Sequence, residues 1–76
     1  MFKKGEMARA IQKIKKGAQL DPKDSENWIL WGVMMRTVGS YESSKHKFQQ
    51  ALKSDRNNVV AKKEMKLLER IMDLDS

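Results

Sequence analysis

The chain has 76 residues, with no cysteine and sixteen Lys and Arg against ten Asp and Glu, a formal charge of +6. That length allows one small domain, and the missing cysteines exclude disulfide staples and thiolate metal sites. The longest apolar run, Trp28 to Met35, spans eight residues, against the roughly 20 needed to cross a bilayer. A cysteine-free composition fits a reducing compartment, so a cytoplasmic, intracellular location, with the nucleus also open to it, is the expectation.

The charge is unevenly spread. Residues 1–20 hold six basic side chains and one acid, Glu6; residues 21–44 carry a slight acidic excess; residues 45–76 are basic again. Such a pattern reads first as the solvated outer faces of helices, and second as a surface that steers an acidic partner or nucleic acid. The opening Met1-Phe2-Lys3-Lys4, with Arg9, Lys13, Lys15 and Lys16, has the basic flavour of a mitochondrial leader. It lacks the serine enrichment of one and runs on without a break into the pattern described next, so it is read as part of the first helix.

Four helices are predicted. In the first, Met7, Ala10, Ile11, Ile14 and Ala18 recur at spacings of three and four and form one apolar stripe. Asp21-Pro22 closes it, because the residue before a proline is pushed out of the α region. Asp24 or Ser25 caps the second helix by accepting from a free N–H of its first turn. That helix carries Trp28, Trp31, Met35 and Val38 on one side, with Ile29 and Val33 beside them. Gly39 supplies the left-handed residue that ends it, and Ser40 an N-cap oxygen for the third helix. The third helix turns Tyr41, Ser44, Phe48, Ala51 and Leu52 inward. Asp55-Arg56-Asn57-Asn58 is a turn and cap cluster. The fourth helix runs from about Val59 to Asp73, with Val60, Ala61, Met65, Leu68 and Met72 as its apolar stripe. No segment alternates with period two for long enough to suggest a strand. The fold class is therefore all-α, with short turns that set neighbouring helices antiparallel.

One offset runs through the chain. Gly5 and Gly39, Lys13 and Lys47, and Asp21 and Asp55 are identical pairs 34 residues apart. A period of that length in a helical pattern marks a stacked helix–turn–helix array. Trp28 is followed by Trp31-Gly32 and Met35; Gly39 and Tyr41 stand at the next turn; Ser44, Phe48 and Ala51 follow, and then Arg56. In these places the chain resembles the tetratricopeptide repeat (TPR) family, whose signature is W-x₂-L-G-x₂-Y, A-x₃-F-x₂-A and P. It departs from that signature at Trp31, Met35, Ser44 and Arg56. The resemblance implies one domain over residues 1–76: 2–24 as the second helix of a preceding repeat, 25–58 as a full repeat, and 59–76 as a capping helix of a TPR-like solenoid fragment. Lys62 and Lys66 in the Trp and Gly places of the fourth helix favour a cap with a polar outer face. The two tryptophans, the largest apolar surfaces in the chain, are expected to anchor the core.

In this family the first helix of each repeat lines a concave groove. Carried over by place, the resemblance puts Glu26, Ile29, Val33, Arg36 and Thr37 on the groove, with Val60, Lys63, Leu67, Arg70 and Ile71 from the fourth helix. Ile29, Val33, Leu67 and Ile71 lie outside the strongest packing stripes, as a binding face requires, although they serve equally well to widen the core. The implied function is a protein–protein interaction module that holds an amphipathic helix or extended segment with apolar anchors and some acidic residues. Some members clamp a chaperone's C-terminal carboxylate with lysine and asparagine; Ile29 and Val33 stand in those places here, which argues against that use.

No constellation points to catalysis, a metal or a cofactor. His46 is the sole histidine, flanked by Lys45 and Lys47 with no carboxylate or cysteine placed to work with it, and reads as solvent-facing. Asp21/Asp24 and Asp73/Asp75 lack the spacing of a metal loop, and the four glycines are dispersed rather than gathered into a phosphate loop. The rival function is nucleic-acid or anionic-surface binding through Lys3, Lys4, Arg9, Lys13, Lys16, Lys62, Lys63 and Lys66; it lacks exposed aromatics between the basic residues. Stacked repeats usually need about three units for stability, so the chain is further expected to be part of a longer array or to self-associate over its first helix.

Overall fold

The computed structural model describes the backbone of residues 4–75 and the side chains of residues 5–74, and these form four α-helices with no strand. They are α1 (Lys4–Leu20), α2 (Ser25–Thr37), α3 (Tyr41–Ser54) and α4 (Val59–Asp75). Met1, Phe2 and Lys3, and with them most of the leader-like opening, lie outside the described residues.

Each helix packs on the next, and α2 also meets α4, whereas α1 touches α2 alone. The outcome is a flat body, 34 × 32 × 16 Å. Its shortest dimension is under two helix diameters, so α1 and α4 each keep one flank free of any other helix.

Local signals set the helix ends. Asp24 caps α2, its Oδ1 accepting from the Glu26 amide at 3.1 Å. Asn58 caps α4, its Oδ1 accepting from the Ala61 amide at 3.0 Å. At the end of α2, Gly39 has φ +84°, the Ser40 amide donates to the Met35 carbonyl, and the Gly39 amide donates to that of Arg36. This pair of bonds is the Schellman closure, which needs a left-handed residue at Gly39. Ser40 departs from expectation. It precedes α3 but its side chain makes no capping bond, and its carbonyl instead accepts from the Ser44 amide.

The 34-residue offset recurs in the backbone. Asp21 N–H donates to the Gly17 carbonyl and Asp24 N–H to that of Asp21; Asp55 N–H donates to Ala51 and Asn58 N–H to Asp55. Two turns with the same hydrogen bonds thus join α1 to α2 and α3 to α4. They lie side by side. The Pro22 carbonyl of the first turn accepts from the Ser54 hydroxyl at 3.0 Å and from the Trp28 indole at 2.9 Å, and the Asn58 amide donates to the Ser25 hydroxyl at 3.1 Å.

The core lies between α2, α3 and α4: Ile29, Phe48, Ala51, Ala61, Met65 and Leu68. Phe48 is fully buried, and a side chain of that size stabilises the fold by about 2–3 kcal/mol through burial. It sits directly against the backbone of Gly32, where an added Cβ would lie 2.5 Å from the ring. Beside it the buried Ser44 hydroxyl donates to the Gly32 carbonyl, which satisfies the one buried polar side chain among the described residues.

Two readings of α2 need correction. Trp28 and Trp31 are not buried within the core, although Trp28 packs against it from outside. They are half-buried and stacked on each other, ring centroids 5.6 Å apart and planes within 8°. The Lys47 ammonium lies 3.9 Å from the Trp31 ring centre, a cation–π contact from α3. Val38, assigned to the same stripe, is exposed. The physical reason is that α2 is flanked by α1, α3 and α4, so no single side of it is the inside. Gly32 admits α3 closely, which turns Ile29 inward and the indoles toward the flank where Lys47 lies. On α4, Val60 is exposed rather than part of the apolar stripe, while Ala61, Met65 and Leu68 are buried.

Candidate interaction cleft between α2 and α4

The N-terminal turns of α2 and α4 enclose a cleft of about 480 Å³, lined by Asp24, Ser25, Glu26, Ile29, Leu30, Asn58 and Val60. Its position follows from the repeated turns. The Asn58–Ser25 hydrogen bond holds the two helix starts together, and the small, fully buried Ala61 lets α4 lie close to α2. Ile29 forms the floor. Leu30 and Val60, 46% and 55% exposed, form apolar walls that are open to solvent.

Of the ten residues placed on the groove from sequence, Glu26, Ile29 and Val60 meet in this cleft. Ile29 belongs to the core as well, so it is a floor and not a freely offered contact. Val33 packs against the core cluster. Arg36 makes an ion pair with Glu64, both side chains about one-fifth exposed, and so joins α2 to α4 instead of projecting free charge into the groove. The exposed Thr37 donates its hydroxyl to the Val33 carbonyl within α2. Leu67, 41% exposed, lies further along α4 with exposed Arg70 and half-buried Ile71. Lys63 falls on the other flank of α4, where it shares a shallow depression of about 360 Å³ with Val59, Lys62 and Lys66.

Asp24, Ser25, Leu30 and Asn58 were not assigned to the groove from sequence. Three of them read as caps, and capping is a sufficient local explanation for each. A signal was nevertheless present: the two turns repeat at the same offset, so the two helix starts come to lie together.

Basic side chains on α1 (Arg9, Lys13, Lys16) and α4 (Lys62, Lys63, Lys66) are exposed, as is His46. They stand on two helices that do not pack against each other. Lys3 and the side chain of Lys4 lie outside the described residues. Lys47 is set apart from the other lysines: partial burial, and then the charge of Lys15, hold its ammonium below the ordinary value of 10.5. Among the described residues no group of three or more His, Cys, Asp or Glu side chains could hold a metal ion, and no helix is long and apolar enough to cross a membrane.

No protein-family model matches the chain, and no curated protein is significantly similar to it. The cleft therefore has to be read from its own chemistry.

Proposed function

We propose that the chain is a protein–protein interaction module that takes an apolar side chain of a partner segment into the cleft between α2 and α4. The observation that carries this reading is the pair of exposed apolar walls, Leu30 and Val60, on a concave site with a polar rim and a buried apolar floor. Leaving such surface uncovered in a domain this small forgoes about 25 cal/mol per Å², and concave apolar sites with a few convergent polar groups are the usual form of a binding site. The turn hydrogen bonds that recur after 34 residues, together with the signature places from Trp28 to Arg56, support a TPR-like stacked array as the scaffold. In such an array the α2–α4 face is the recognition face.

The test uses a displayed library of random 12-residue peptides, panned on the chain. Enriched peptides should bind the parent protein and lose at least about tenfold in affinity to a Leu30→Asp/Val60→Asp variant, as loss of a central apolar contact does. Both residues are exposed, so the variant should keep its helical circular dichroism and its melting temperature within a few degrees. Replacing Ile29 would be a poor test, because its burial makes loss of fold and loss of binding indistinguishable. Binding that is indifferent to the Leu30/Val60 change would remove the assignment.

A further inference from the structure

The binding role proposed above leaves open what charge the bound segment carries, and the structure divides the charges of this face in a way that bears on it. The cleft and the depression flank the same first two turns of α4. Val60 walls the cleft, while Val59, Lys62, Lys63 and Lys66 line the depression. Asp24 and Glu26 line the cleft and no cation does; the depression is lined by three lysines and no anion. Arg36, in the last turn of α2 and outside the cleft, is engaged by Glu64. Asp24 is occupied in part by the Glu26 amide and the Asn27 side chain. Glu26 is exposed and, among the described residues, no ion pair or side-chain hydrogen bond engages its carboxylate or the three lysines. The helix starts do not offer a competing anion site, since the Asp24 carboxylate and the Asn58 amide oxygen already cap them.

We propose that the segment recognised here is charge-bipolar: a basic side chain beside Asp24 and Glu26, an apolar anchor on Ile29, Leu30 and Val60, and an acidic side chain over Lys62, Lys63 and Lys66. A uniformly acidic segment would bring a carboxylate against Glu26, and a uniformly basic one would meet the three lysines; each wrong pairing is repulsive. The spacing follows from the size of a helix. A segment that crosses α4 must span about 10–12 Å, which an extended chain covers in roughly three or four residues. The aliphatic stems of the lysines, with Val59, also give the acidic end of the segment an apolar bed.

The inference is tested by the sequences of the library peptides whose binding is lost on Leu30→Asp/Val60→Asp. The expected consensus has Lys or Arg within two residues of an apolar anchor and Asp or Glu about three or four residues to the other side. A synthetic peptide of that pattern should bind about three- to tenfold tighter than the same peptide with its charges exchanged, the range of a few exposed ion pairs. The advantage should shrink as salt rises. A Glu26→Lys/Lys62→Glu/Lys66→Glu variant should reverse the preference. Cleft-dependent peptides that are uniformly acidic or free of charge pattern, or a preference the triple variant leaves unchanged, would overturn the bipolar segment while the cleft still stands. If no enriched peptide is lost on Leu30→Asp/Val60→Asp, the cleft itself falls and the bipolar segment with it.

Discussion

Gly32→Ala is the smallest change that should disturb the fold most. The new methyl carbon would lie 2.5 Å from Cε1, 2.7 Å from Cδ1 and 3.0 Å from Cζ of Phe48. Carbon atoms in contact sit at about 3.5–4.0 Å, so the ring or α3 must withdraw by roughly 1 Å. The ring has no room of its own, because Phe48 is fully buried among Ile29, Ala51, Ala61, Met65 and Leu68. Withdrawal of α3 would also stretch the Ser44–Gly32 hydrogen bond, worth about 1 kcal/mol. Overpacking costs about 1–3 kcal/mol, and alanine gains back nearly 1 kcal/mol in helix propensity over glycine. The net expectation is a loss of about 2 kcal/mol, which in a domain of this size lowers the melting temperature by roughly 8–16 °C. Thermal unfolding followed by circular dichroism at 222 nm reads it directly. Combining Gly32→Ala with Phe48→Leu should cost less than the sum of the two single changes, because the smaller side chain relieves the clash. A Gly32→Ala protein as stable as the parent, or more so, would refute the close approach of α3 to α2 on which the position of the core rests.

Three further outcomes are expected. Arg36→Ala and Glu64→Ala, measured singly and together in urea, should give a coupling of about 1 kcal/mol that weakens in high salt; zero coupling would mean that Arg36 is free to project into the groove. Lys47 has a lower pKa in the folded chain than its ordinary 10.5, so between those two values the unfolded state binds more protons, and stability rises with pH across that window. Lys47→Gln should flatten this rise relative to the parent and alter the tryptophan emission, since the ammonium lies on the Trp31 ring; an unchanged pH slope would remove the assigned cause. Because α1 is covered by α2 alone and its Met7, Ala10, Ile11 and Ile14 are half-buried, sedimentation should detect reversible self-association at high micromolar concentration. A stable monomer with a high melting temperature would count against it.

The parts of the fold that were legible in the sequence are those governed by residues close together in the chain. Asp24 and Asn58 announce helix starts because a capping oxygen needs only an amide two or three residues on. Gly39 announces an end because the Schellman closure needs one left-handed residue. On α3, Ser44, Phe48 and Ala51 read correctly as the inner face, since its apolar stripe is unambiguous and all three are buried. The cleft was half legible. Glu26, Ile29 and Val60 were assigned to this face, but Asp24, Ser25 and Asn58 were absorbed by their capping roles. Ser40 misled because a serine before a helix is a frequent cap and nothing local reveals that its hydroxyl goes unused.

The sequence by itself determined four helices, the places where they stop, and the 34-residue offset between their turns. Caps, left-handed glycine and apolar periodicity act within one or two turns, and a linear pattern records them. Only the tertiary structure decided which side of α2 is the core. Trp28 and Trp31 out-bulk every other apolar side chain in that helix, yet the core forms at Ile29 and Gly32. Which side is buried depends on how closely α3 and α4 can approach, and that is governed by a missing Cβ at Gly32 and small side chains at Ser44, Ala51 and Ala61 rather than by hydrophobicity. The same crossing pairs Arg36 with Glu64, 28 residues away, a contact that no pattern within one or two turns records.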